Sequence, residues 1–145
     1  MSTANDFKVL LIEPCDDTGT LLALLLEMYG CIVKIEKKFL DACASLTTFQ
    51  PHVILTELDG VEDLNIAEKL KQMPQGKNAQ VVALTSQYWI GIEAELSKAG
   101  FMHYMLKPAS LESIVSKLTE IAEMNGFSLA DSHDEQSPLF LSPTA

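Results

Sequence analysis

At four points a short apolar run stops at polar residues. Glu13 follows KVLLI, Glu57 follows HVILT, Thr85 and Ser86 follow VVAL, and Lys107 follows HYML. Carboxylates, hydroxyls and one ammonium brought to a single point could hold a divalent cation or position a phosphoryl group. Two neighbouring carboxylates raise one another's proton affinity unless a cation lies near, and Lys107 is the candidate cation. The pattern predicts that Lys107 closes a small acidic pocket by pairing with Glu57. Asp16 and Asp17 stand in the first loop, just after Pro14 and Cys15.

These positions converge only if the apolar runs are strands of one sheet. Residues 8–13 read as a strand, and LLALLLEMYG reads as a helix stopping at Gly30. Asp16 is read as the residue capping that helix. Strand 31–35, a helix over 38–48 and strand 52–57 after Pro51 follow. Asp59 and Glu62 have capping-box spacing ahead of an apolar stripe at Leu64, Ile66, Ala67 and Leu70. Strand 80–86 is followed by a helix over 87–99, with Ser86 as its cap and Gly100 as its stop. Strand 103–107 precedes a helix capped by Ser110, with Leu111, Ile114, Val115, Leu118, Ile121 and Ala122 on one face.

Short continuous apolar strands alternating with helices imply a parallel sheet covered on both faces. The fold class is therefore α/β, a doubly wound five-stranded sheet of flavodoxin-like type. The order 2-1-3-4-5 is taken from small domains of that kind, not from the sequence itself. Residues 1–126 make one domain. Residues 127–145 hold three acids, no lysine, two prolines and four serines, and are expected to form a flexible tail. PLFL at 138–141 is its one apolar segment, suited to packing on the domain or on a partner.

Composition removes several function classes. A formal charge of -10, with all ten cationic residues lysine, opposes nucleic-acid binding. The start MSTANDFK lacks a basic stretch followed by an apolar one, and the apolar runs are too short to span a bilayer. A soluble, cytoplasmic protein is expected. Cys15, Cys31 and Cys43 fit neither a disulfide framework nor a zinc knuckle, and the three histidines lack metal spacing. The acids around Cys15 are expected to raise its thiol pKa. No glycine-rich phosphate loop follows the first strand.

VLLIEPCDD, PHVILTELDG, VVALTS and AGFMHYMLKP together resemble the receiver domains of bacterial two-component response regulators, over residues 8 to about 125. The resemblance supports the 2-1-3-4-5 order. In such receivers a pair of acids after the first strand and an Asp ending the third hold magnesium, and that Asp accepts phosphate from a histidine kinase. By position the acid pair falls on Glu13 and Pro14, and the phosphoacceptor falls on Glu57. The hydroxyl position matches Thr85, the small residue after it Ser86, the phosphate-pairing lysine Lys107 and the switch aromatic Tyr104. The resemblance implies a signalling partner, a histidine kinase or an output protein, and a contact face over residues 87–122 that would also serve a homodimer. Tyr88, Trp89, Ile90 and Ile92 give that face more apolar bulk than one helical stripe must bury.

The departures change what the resemblance implies. Pro14 offers no carboxylate, and Glu57 carries one extra methylene, which moves its oxygens by roughly 1.5 Å. Magnesium demands near-ideal octahedral oxygens, and phosphoryl transfer tolerates little misplacement. The chain is therefore read as a pseudo-receiver, not an enzyme, without a cofactor and acting through protein contacts independently of phosphate. The competing reading is a working receiver that holds Mg2+ through Glu13, Asp16 and Glu57 with slow acyl-phosphate chemistry.

Overall fold

A computed structural model describes residues 6–58, 65–76, 78–107 and 109–129. Five strands, β1 (Lys8–Ile12), β2 (Ile32–Glu36), β3 (Val53–Leu58), β4 (Gln80–Thr85) and β5 (Phe101–Leu106), form one sheet. They alternate with α1 (Asp16–Met28), α2 (Phe39–Phe49), α3 (Asn65–Lys71), α4 (Ile92–Ala99) and α5 (Leu111–Met124). The sheet order is β2-β1-β3-β4-β5, and every pairing is parallel.

Strand alternation divides the core into two layers. Val9, Leu11, Val53, Leu55, Val82 and Leu84 face α1 and α5, where Leu22, Leu26, Val115 and Leu118 meet them. Leu10, Ile12, Ile54, Val81 and Ala83 face the other way, onto Ala42, Leu46, Ala67, Leu70 and Leu96 of α2, α3 and α4. Both sides of the three inner strands are thus covered, which is why their sequences are apolar without interruption. β2 lies at one edge and reads differently, with Ile32, Lys34 and Ile35 exposed.

Helix ends follow local chemistry. Gly30 and Gly100 take left-handed backbone at φ 94 and 107, which stops α1 and α4 where a residue with a Cβ would be strained. At α5 the hydroxyl of Ser110 accepts the N–H of Ser113 at 3.0 Å, as a helix cap should.

Several boundaries differ from the sequence reading. α4 begins at Ile92, not at residue 87, and its cap position is Gly91 rather than Ser86. Gly91 sits at φ 90, a conformation that breaks a helix, and a glycine there also removes helix propensity. Asp16 is the first residue of α1 rather than its cap; the cap position is Cys15. β5 begins two residues early, at Phe101, and its pairing with β4 has an irregularity between Val81 and Val82. Phe101 pairs with Val81 but His103 pairs with Val82, so Met102 is the extra residue of a bulge. The bulge lets Phe101 and Tyr104, three apart, both pack on the α4 side.

The core also extends past residue 126. Phe127 packs against the α1/α5 layer and Leu129 is buried within it, so composition misjudged where the domain ends. The remainder of the predicted tail, with PLFL, and the Asp59–Glu62 capping box lie outside the described residues. Among the described residues no helix is long and apolar enough to cross a membrane. Replacing the α5 cap, Ser110→Ala, is expected to lower stability by about 1 kcal/mol, read as a lower urea midpoint at unchanged slope.

Candidate functional site

The site lies beyond the carboxyl ends of the strands, where an open parallel sheet leaves a crevice. Alternation fixes who points where. Continuing Val9 and Leu11 places Glu13 on the α1/α5 parity; continuing Val53 and Leu55 places Glu57 there; continuing His103 and Met105 places Lys107 there. Thr85 continues Val81 and Ala83 and has the opposite parity.

The structure brings Lys107 and Glu57 together: the Lys107 ammonium donates to Glu57 Oε2. Glu57 lies in the third strand and Lys107 directly follows the fifth, and β4 runs between them. Two inter-strand spacings are roughly 10 Å, so only long side chains can close the gap. Here lies a physical reason for glutamate: its extra methylene carries the carboxylate toward the ammonium. The side chains are 15% exposed for Glu57 and 37% for Lys107, so the pair is partly shielded from water. Lys107 is anchored at its backbone, its N–H donating to the Thr85 carbonyl at 2.7 Å.

Glu13 is buried, and its Oε2 accepts the N–H of Cys15 at 3.1 Å. The carboxylate thus meets the first free amides of α1, a favourable place for negative charge. Gly19 of α1 faces Glu13; a Cβ there would make ordinary contact, 3.5 Å from Glu13 Cγ and 3.4 Å from Ile35 Cγ2. Pro14 is exposed in the turn between Glu13 and Cys15. Asp16 is exposed too, and its Oδ1 pairs with Lys37 at 2.8 Å.

Thr85 is buried, and its hydroxyl accepts the N–H of Gln87 at 3.2 Å. Ser86 is exposed at the start of the following loop. Tyr104 is half-buried against the α4 side, with its hydroxyl donating to Glu93 Oε2 at 3.0 Å. Partial desolvation, then that carboxylate, pushes the phenol above its ordinary range.

The magnesium ligands of the competing reading are not gathered to fit a cation. Among the described residues no group of three His, Cys, Asp or Glu side chains could hold a metal. Glu13, Asp16 and Glu57 are therefore not assembled as a ligand set. The reasons are local: Glu13 is engaged by an amide, Asp16 by Lys37, Glu57 by an ammonium, and Pro14 has no donor.

Cys15 reverses a sequence expectation. Its thiol lies below its ordinary value, chiefly because the Thr18 hydroxyl donates to Sγ at 3.4 Å, then because of the Thr18 N–H; the Asp17 charge is a lesser opposing effect. Proximity in sequence overstated the acids and missed the helix-end donors. Burial instead pushes Cys31 up to about 12 and raises Cys43. Sequence reasoning also missed Lys37, Glu93 and Gly19. The one available signal was the small residue at 19, inside a leucine-rich helix.

The doubly wound 2-1-3-4-5 fold is shared with solved structures. The chain is similar to a response regulator from Thermotoga maritima, at 21% identity and TM-score 0.71, covering 81% of this chain and 98% of that one. It is similar to a two-component response regulator from Clostridium difficile, at 20% identity and TM-score 0.73, covering 83% and 99%. The signal receiver domain of a DNA-binding response regulator from Colwellia psychrerythraea aligns at 24% identity and TM-score 0.69, covering 81% and 99%. These likenesses are of fold. No protein-family model matches the chain, and no curated protein matches it by sequence.

A double-mutant cycle on Glu57→Gln and Lys107→Met should give a coupling of about 1 kcal/mol that shrinks as salt is added. Alkylation at neutral pH should modify Cys15 first, Cys43 more slowly and Cys31 only on unfolding, as followed by peptide mass.

Proposed function

We propose that this protein is a response-regulator-like signalling domain that works through protein contacts, without phosphorylation and without chemistry of its own. The observation that carries this reading is the set of acids at the strand ends: Pro14 has no carboxylate, Asp16 is paired with Lys37, and Glu57, one methylene longer than Asp, meets the Lys107 ammonium. The lysine is a position that working receivers share by resemblance, so the departures lie in the acids. Glu57 offers one charge and two oxygens, against nearly two charges and three oxygens for a phosphoryl group. It therefore copies a phosphorylated acceptor only in part.

The contact face is the proposed partner surface, and its exposure supports that use. Tyr88 is 60% exposed and Ile90 93%, in the loop between β4 and α4, while Met102 and Leu106 are exposed on β5. Trp89 and Ile92 do not belong to this patch: Trp89 packs against the α4 layer and Ile92 is buried. A kinase, an output protein or a second copy of the chain is the kind of partner such a face takes, and the work is placed in the cytoplasm.

Intact mass after incubation with acetyl phosphate and Mg2+ tests the phosphate-independent part. Wild type is expected to gain no phosphoryl group, and Glu57→Asp alone little, because Pro14 still supplies no ligand. Glu57→Asp combined with Pro14→Asp should gain one. A Mg2+-dependent gain on Glu57 of the wild type would establish the working-receiver reading instead.

A further inference from the structure

The opposite pole, where the strands begin, carries a polar arrangement that the signalling role does not use. His52 immediately precedes β3, and its backbone is held on both sides. Its N–H donates to the Lys8 carbonyl at 2.9 Å, and its carbonyl accepts the Gln80 N–H at 3.0 Å. The ring is therefore the part free to respond. Its Nδ1 accepts the backbone N–H of Lys8 at 3.0 Å, which places the proton of the neutral ring on Nε2.

The same ring closes an aromatic cluster. It stacks on Phe7, with centroids 5.6 Å apart and planes at 11°. It meets Phe127 at 4.6 Å and 59°, and Phe127 meets Phe7 at 5.1 Å and 54°. Three rings thus tie together the start of β1, the start of β3 and the segment leaving α5. That segment is otherwise held by the Phe127 N–H donating to Ala122 at 2.9 Å and by burial of Leu129.

We propose that His52 is a proton-sensitive clasp: a proton taken up at Nδ1 breaks the Lys8 hydrogen bond and releases residues 127–129 from the aromatic cluster. An imidazolium has donors at both nitrogens, so Nδ1–H would face another donor, the Lys8 N–H, with no acceptor between them. The surroundings supply little compensation. From β1, the Lys8 ammonium opposes the charged ring and Asp6 favours it. The end of α5 and the segment after it contribute Asn125 and the Phe127 ring, Phe7 stacks from just before β1, and Gln50 and Asn78 approach from neighbouring loops. A cation over a phenyl face gains some attraction, but burial first and Lys8 second hold His52 below its ordinary 6.5.

The sign follows from that direction. The folded ring binds its proton more weakly than the unfolded chain does, so the clasp is intact above the unfolded value. It weakens as pH falls from about 6.5 through the lower folded value.

The test is NMR on the full chain. Imidazole nitrogen shifts should report the Nε2–H form at neutral pH and a titration below 6.5. Over that same titration, the exchange protection of the Lys8 and Phe127 amides should be lost, while that of the β4 amides is kept. His52→Asn, whose side-chain oxygen can replace Nδ1 as acceptor without titrating, should keep the Lys8 protection at neutral pH and remove its pH dependence. His103→Gln should leave the dependence in place. Phe127→Leu, which uncovers one face of the ring, should move the His52 titration up toward its ordinary value. The proposal is overturned if His52 titrates at or above that value, if Lys8 and Phe127 stay protected through its titration, or if His52→Asn keeps the pH response.

Discussion

A glutamate and a lysine from strands that are not neighbours meet over the end of the strand between them, and the carboxyl edge is organised around that contact. Neither charge is fully solvated, and a partly shielded carboxylate left unpaired would draw in a proton or a cation. The pair resolves this internally. Its strength need not be large: a half-exposed ion pair contributes about 1 kcal/mol or less to stability. Its consequence is positional, because it holds Glu57 Oε2 against the Lys107 ammonium.

The sheet makes that meeting possible. Two inter-strand spacings separate the residues, parity puts both on the α1/α5 side, and the bulge at Met102 sets the parity of the last strand. Had β5 run from Phe101 without the extra residue, Tyr104 and Phe101 would have pointed to opposite faces. With it, Tyr104 packs toward α4 and finds Glu93, while Met105 and Lys107 fall on the other side. One irregular residue thus determines the surroundings of two positions that the family likeness singles out.

The carboxyl edge and the contact face are joined through the loop after β4. Thr85 ties down Gln87, and Gly91 delays the helix, so Tyr88 and Ile90 stay in an apolar loop instead of a buried helical stripe. At a fold shared with response regulators but at low identity, the informative features are those that depart from the pattern. Pro14 has no carboxylate, Asp16 pairs with Lys37 and Glu57 with Lys107, and among the described residues no three His, Cys, Asp or Glu side chains are grouped to hold a metal.

Much was legible in the chain itself. Apolar runs of strand length followed by helical stripes fixed the fold class, because a sheet covered on both faces leaves no polar alternation in its inner strands. The ends of those runs marked Glu13, Glu57, Thr85 and Lys107, and the absence of a carboxylate at Pro14 needed no coordinates. Tertiary structure alone decided the rest. Whether Asp16 faced the pocket depended on Lys37, which directly follows β2 at the same edge of the sheet. Whether Cys15 was blunted by acids or sharpened by a hydroxyl depended on angstrom-scale geometry at a helix end. The later start of α4 had a local signal in Gly91, but the bulge in β5 and the burial of Leu129 depend on which surfaces the neighbouring elements present. Sequence patterns report which face of an element seeks cover; they do not report the register in which two elements meet, and that register selects each side chain's partner.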